Sequence, residues 1–109
     1  MANDLKVLGQ LAPSATTLTD LYTVPGATHA TVSSIVVCNR AGSAATFRIA
    51  VAIAGASNDN KQYLYYDTSI PANDSFVATI GVALGPADVI RVYASNGNLS
   101  FSAFGVEVS

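Results

Sequence analysis

The side chains able to do chemistry are few in this sequence. His29 is the one histidine and Cys38 the one cysteine. A histidine pair, an intrachain disulfide and a cysteine-based zinc site are therefore out of reach. A Ser-His-Asp triad is formally possible because serine and aspartate abound, but no G-x-S-x-G elbow or comparable motif sets a nucleophile beside a base. His29 follows the Pro25-Gly26 turn signal and reads as a plain loop histidine. Cys38 closes the apolar run Ile35–Cys38 and reads as a reduced, buried small hydrophobe.

The carboxylates are Asp4, Asp20, Asp59, Asp67, Asp74, Asp88 and Glu107. No D-x-D-x-D run is present, so no calcium loop of the helix-hairpin type is expected. Asn58-Asp59-Asn60 and Asn73-Asp74 could lend oxygens to a cation. Ordinary turn chemistry, in which Asn and Asp bond their own backbone, is by far the stronger reading of both. A pair of catalytic carboxylates has no spacing in its favour. A small hydrolase is thus the weakest reading, and no cofactor is expected. Asn73-Asp-Ser75 and Asn98-Leu-Ser100 match the glycosylation acceptor pattern. That pattern needs secretion, and Met1–Gly9 has no basic region leading into an apolar core.

The most concentrated aromatics are Tyr63, Tyr65 and Tyr66. Alternation puts Tyr63 and Tyr65 on one face of a strand and Tyr66 on the other. Exposed, such tyrosines stack on sugars or anchor a protein interface; otherwise they rim a core and bond through their hydroxyls. Arg40 sits in the turn that follows the apolar run. Tyr63, Tyr65, Tyr66 and Arg40 are the candidate interface residues.

The elements that must position these residues are strands. Ala30–Asn39 carries apolar residues on both parities, which calls for burial on both faces or a bulge. Across the turn, Phe47, Ile49, Val51 and Ile53 recur at a spacing of two within Ala45–Ile53 and are expected to face the core. Further strands are expected at Asp20–Val24, Gln62–Thr68, Ser75–Gly81, Val89–Ala94 and Asn98–Ser109. In the last, a bulge near Ala103 would keep Phe104, Val106 and Val108 inward. Pro25-Gly26, Pro71–Asp74, Gly85-Pro86 and Asn96-Gly97 separate them. No segment holds a 3.6-residue apolar period. Short strands with turn signals every 8–12 residues or so indicate an all-β fold. The expectation is a single antiparallel β-sandwich of seven to eight strands, jelly-roll or Ig-like. Residues 1–12 form an N-terminal arm or first strand, and 13–109 the sandwich domain.

Of the 109 residues, 50% are hydrophobic, enough for one packed core. Only 11% are charged, against roughly 25% in an ordinary soluble domain. The surface must then be largely Ser, Thr, Asn, Ala and Gly, which loses little solvation or side-chain freedom when another protein covers it. That fits an assembly subunit and a neutral monomer alike. Lys6, Arg40, Arg48, Lys61 and Arg91 are scattered and the net charge is −2, so no nucleic-acid partner is expected. No apolar run approaches the ~20 residues of a membrane span, so no membrane partner is expected either.

Several segments together carry a resemblance: L-T-D-L-Y-T-V-P at 18–25, S-I-V-V-C-N-R at 34–40, A-A-T-F-R at 44–48, Y-L-Y-Y-D-T-S-I at 63–70, A-N-D-S-F at 72–76 and R-V-Y-A-S at 91–95. In this combination the chain resembles small virion structural proteins of tailed bacteriophages, over nearly its whole length. The resemblance implies a small β-sandwich attached to an assembled head or tail, with no catalytic residue to carry over. It implies a virion protein made in the bacterial host cytoplasm, whose partners are major capsid or tail proteins and other copies of itself. Capsid decoration (cement) leads. A tail, neck or baseplate accessory and a glycan-binding host-recognition module are the alternatives. The N-terminal arm could extend onto a neighbour's sheet edge.

Overall fold

The computed structural model describes residues 3–109; Met1 and Ala2 of the expected arm lie outside the described residues. The elements in order are β1 (Asn3–Leu11), β2 (Thr19–Thr23), β3 (His29–Asn39), β4 (Ala45–Ala52), β5 (Tyr63–Ile70), β6 (Ser75–Leu84), β7 (Val89–Ala94) and β8 (Leu99–Val108). They form two four-stranded sheets, ordered β1-β8-β3-β6 and β2-β7-β4-β5. The pairs β1·β8, β2·β7, β3·β6 and β4·β5 are all antiparallel. The chain is thus one long hairpin, β1–β4 against β5–β8, rolled until β8 also meets β3 and β7 also meets β4. Of the two sandwich types expected, this is the jelly roll.

The core lies between the sheets. Ile35, Val37 and Phe101 from the first sheet meet Phe47, Ile49, Ile90 and Val92 from the second, all fully buried. Phe47 is the hub, with its ring centroid 5.2 Å from Phe76, 6.1 Å from Tyr65 and 6.3 Å from Phe101. At one end Asn39, 1% exposed, ties two loops together. Its Nδ2 donates to the carbonyls of Ser43 (2.9 Å), Pro71 (3.1 Å) and Ile70 (3.3 Å), and its Oδ1 accepts from Ala41 N–H (3.0 Å).

Bulges decide which residues face the core. β3 shifts register between Val32 and Ser34 against both of its neighbours. The shift keeps Val32 and Ile35 both buried and turns Val36 and Cys38 outward. Cys38 is therefore partly exposed on the outer face and not buried as expected. The bulge expected near Ala103 is also absent: β8 pairs with β3 residue by residue from Leu99 to Phe104, and the shifts belong to β3 and β1. Phe104, Val106 and Val108 consequently point outward, the reverse of the expectation. Gly105 faces β3 closely enough that a Cβ there would overlap the Thr31 carbonyl oxygen. Ile53 is corrected too. β4 ends at Ala52, the chain turns through a 3₁₀ turn, and Ile53 is 76% exposed.

Candidate interaction surfaces

The residues singled out for chemistry are dispersed and structurally engaged. His29 is exposed at the start of β3. Among the described residues, no group of three or more His, Cys, Asp or Glu side chains comes together. Asp59 Oδ1 accepts from Lys61 N–H, and Asp74 Oδ1 accepts from Ser75 N–H. Both candidate oxygen-rich turns thus direct these carboxylates to their own backbone. Asp88 takes the N–H groups of Ala54 and Gly85 at 2.9 Å each, holding the β6–β7 turn against the loop after β4. Asp20 pairs with Arg91 at 3.0 Å. Among the described residues no helix is long and apolar enough to cross a membrane.

Glu107 bridges the two sheets near the open end of the sandwich. Its Oε2 accepts from the Tyr22 hydroxyl at 2.5 Å and its Oε1 meets Lys6 Nζ at 2.8 Å. The Lys6 ammonium, then the Tyr22 hydroxyl, hold the Glu107 carboxyl below its ordinary value. Burial, then the hydrogen bond to Glu107, push the Tyr22 phenol up. The bond to Glu107 raises the Lys6 ammonium despite some desolvation.

The tyrosines form a different group from the one that alternation predicts. β5 shifts register twice against β4, and Asp67 within it has φ +50°. These irregularities turn Tyr65 inward, against Phe47 and Phe76. They bring Tyr63 and Tyr66 together edge to face, with centroids 4.9 Å apart. The Arg48 guanidinium lies 4.1 Å from the Tyr66 ring centroid and 4.2 Å from that of Tyr93. Its Nε and Nη2 donate to the Asp67 carboxylate at 2.7 and 3.3 Å. That carboxylate fixes the fork and raises the affinity of Arg48 for its proton. A cleft of about 320 Å3, lined by Asn60, Tyr63 and Tyr66, opens beside this cluster. Arg40 does not join it. Arg40 lies in the β3–β4 loop, reaching the Gly97 carbonyl at 3.4 Å, while Tyr63 pairs with Ala50 towards the far end of β4. A second cleft of about 310 Å3 sits beside the exposed Ile53 and is closed by the buried Gln62.

The largest feature is the outer face of the β1-β8-β3-β6 sheet. Its cross-strand rows follow from the register. One row is Leu5, Val106, Thr31 and Ala83; the next is Val7, Phe104, Ser34 and Thr79; a third is Gln10, Ser102, Val36 and Val77. Leu5 is 83% and Val77 60% exposed. Asp4, Lys6 and Glu107 belong to the opposite parity, so among the described residues these rows contain no charge. Of the twelve side chains in these rows seven are apolar and five are Ser, Thr or Gln, so the face is uncharged and only weakly polar.

No protein-family model matches the chain, and no curated protein matches its sequence. Among solved structures, the chain is similar to two crystal structures described as a pentameric capsid protein isolated from metagenomic phage sequences. One shows 16% identity and a TM-score of 0.37, over 93% of this chain and 59% of that one. The other shows 15% identity and a TM-score of 0.36, over 93% and 63%. The chain spans about three-fifths of the length of those proteins. A likeness at this level carries no argument about function.

Sequence reasoning missed Arg48 and Tyr93. The signal that could have found them is pairing: they are direct partners across β4 and β7, both of outward parity. It also missed the outer face, because Phe104 and Val106 resemble core residues until the bulges are placed.

Proposed function

We propose that this protein is a non-enzymatic structural subunit of a tailed-phage virion, a decoration (cement) protein that binds the assembled particle through repeated interfaces. The observation that carries the proposal is the uncharged outer face of the β1-β8-β3-β6 sheet. An uncharged sheet face of this breadth loses little solvation when covered and gains where its apolar side chains are buried, and covering it in every copy of a symmetric assembly yields the same gain at each junction. The sequence resemblance to small virion proteins supports the same reading. So does the jelly roll, a fold used by viral shell domains, although it also serves lectins and enzymes and decides nothing alone. Tyr63, Tyr66, Tyr93 and Arg48 supply the residue types that anchor interfaces, pre-ordered by stacking and by Asp67. We assign this cluster to the contact with a major capsid or tail protein, and keep Arg40 as a separate contact point at the loop end. The protein would then be found in the virion and assembled in the host cytoplasm. Replacing Tyr66 by Ala should leave the fold intact and reduce the number of copies retained on purified particles. Unchanged copy number would remove the cluster from the contact.

A second reading, glycan recognition, is favoured by the cleft beside Tyr63 and Tyr66, where ring faces and the Asn60 amide adjoin. A glycan array with no binding would eliminate it. A tail, neck or baseplate location is the other form of the virion reading, and a defect confined to the tail in particles lacking the protein would select it.

A further inference from the structure

We infer that the outer face of the β1-β8-β3-β6 sheet is covered by the same face of a second copy of this chain, in a two-fold face-to-face dimer. The inference rests on reading the protein as an assembly subunit and names what covers the face.

The argument is steric. In two successive rows, the bulky side chains lie on the β1–β8 half of the face: Leu5 with Val106, and Val7 with Phe104. On the β3–β6 half, the same rows hold small side chains: Thr31 with Ala83, and Ser34 with Thr79. A two-fold axis in the plane of the interface and parallel to the strands exchanges the two halves. β1 of one copy then lies over β6 of the other, and β8 over β3. Leu5 meets Ala83, Val106 meets Thr31, Val7 meets Thr79 and Phe104 meets Ser34, large against small in each case. In the third row Val36 meets Ser102, again large against small, while Gln10 meets Val77, two side chains of similar size. Relief that is its own complement under a two-fold, as in the first two rows, is what an isologous contact requires.

Charge and area agree. These rows bring no like charges together, because they contain none. Four strands at about 4.8 Å spacing and eleven residues of β3 at about 3.3 Å rise give a flat area on the order of 700 Å2. A standard-sized stable interface needs about 800 Å2 per partner, so this face alone is close to sufficient. The two sheets would stack at roughly 10 Å, as sheets do inside a sandwich.

The test uses the purified full-length chain. Light scattering on a size-exclusion column should give twice the 11.2 kDa chain mass. Leu5→Lys, whose side chain is exposed in the single chain, should give the monomer mass with an unchanged circular dichroism spectrum. Cys38 lies on this face and serves as a native reporter. A thiol reagent should modify it about tenfold faster in Leu5→Lys, as the free-monomer fraction rises from roughly a tenth to nearly all. Geometry is tested by Leu5→Cys with Ala83→Cys in a Cys38→Ser background. Residues 5 and 83 of one chain are three strand spacings apart, about 14 Å, whereas facing backbones of stacked sheets are about 10 Å apart, so neither pair suits a direct disulfide. A short bifunctional thiol cross-linker, long enough for the roughly 10 Å between facing backbones and too short for about 14 Å, should therefore link two chains. A wild-type monomer at ~100 μM, a dimer that survives Leu5→Lys, or the absence of a cross-link would each overturn the inference. Any of these outcomes leaves particle binding to be judged separately, by copy number on virions.

Discussion

Replacing Asn39 by Ala should cost this domain about 3 kcal/mol. The carboxamide is 1% exposed and makes contacts to four backbone groups, from Ser43, Ile70, Pro71 and Ala41. Its two N–H bonds serve three carbonyls, so one of them is shared, and the set counts as about three net hydrogen bonds. Each is worth about 1 kcal/mol, and a buried group left without a partner costs about 1–3 kcal/mol unless water reaches it. Water entry at the loop end offsets part of that penalty, which sets the figure at the lower end. For 109 residues, an unfolding entropy of about 2.1 cal/mol/K per residue turns 3 kcal/mol into a melting-point fall of roughly 13 °C. Urea denaturation and calorimetry measure both quantities. Asn39→Leu, similar in size, should be at least as damaging, because it fills the space and keeps water out. Ser43→Ala is the control: only the Ser43 carbonyl takes part, so the change should stay within about 0.5 kcal/mol. An Asn39→Ala loss below about 1 kcal/mol would refute the claim that this side chain ties the β3–β4 and β5–β6 loops together.

Two further outcomes follow from the core and from the Glu107 bridge. Phe47→Ala removes the ring that touches Tyr65, Phe76 and Phe101, and should cost about 3–5 kcal/mol, whereas Ile53→Ser should change stability by less than about 0.5 kcal/mol, both read by urea denaturation. Glu107 titrates below its ordinary value of 4.5 when folded, so its stabilisation is fully present above that pH and is lost as pH falls through the lower folded value. Melting temperature should therefore drop on acidification below about pH 4.5, and Glu107→Gln should flatten that limb. Tyr22 and Lys6 titrate above their ordinary values of 10.0 and 10.5, so their share is present below those values and is lost only as pH rises beyond them.

The strands and the two-layer architecture were legible because apolar alternation and turn residues are local signals. Phe47 and Ile49 at a spacing of two, and Asn96-Gly97 between two apolar runs, need no knowledge of the rest of the fold. Facing was less legible. A bulge reverses parity without any change in composition, so Ser33 in β3 and the irregularities of β5 were invisible. The misassigned residues follow from that: Cys38, Tyr65, Phe104 and Val106 all sit beyond or opposite a register shift. Ile53 failed for another reason, since alternation ran one residue past the end of β4. The Arg48–Tyr93 contact was hidden because β4 and β7 are far apart in sequence and become neighbours only when the hairpin rolls. Asn39 read only as the last residue of a strand before a turn, because nothing local distinguishes an ordinary strand-end amide from one that gathers four backbone groups.

The central claim, a structural subunit covered in a virion, is tested most directly by imaging particles with and without this protein. Wild-type particles should carry density fitting a body of 45 × 27 × 19 Å at symmetry-related positions on the head, with each copy's β1-β8-β3-β6 face turned away from solvent. Particles lacking the protein should lose that density alone. Purified virions that contain none of the protein, or copies whose uncharged sheet face stands open to solvent, would contradict the account.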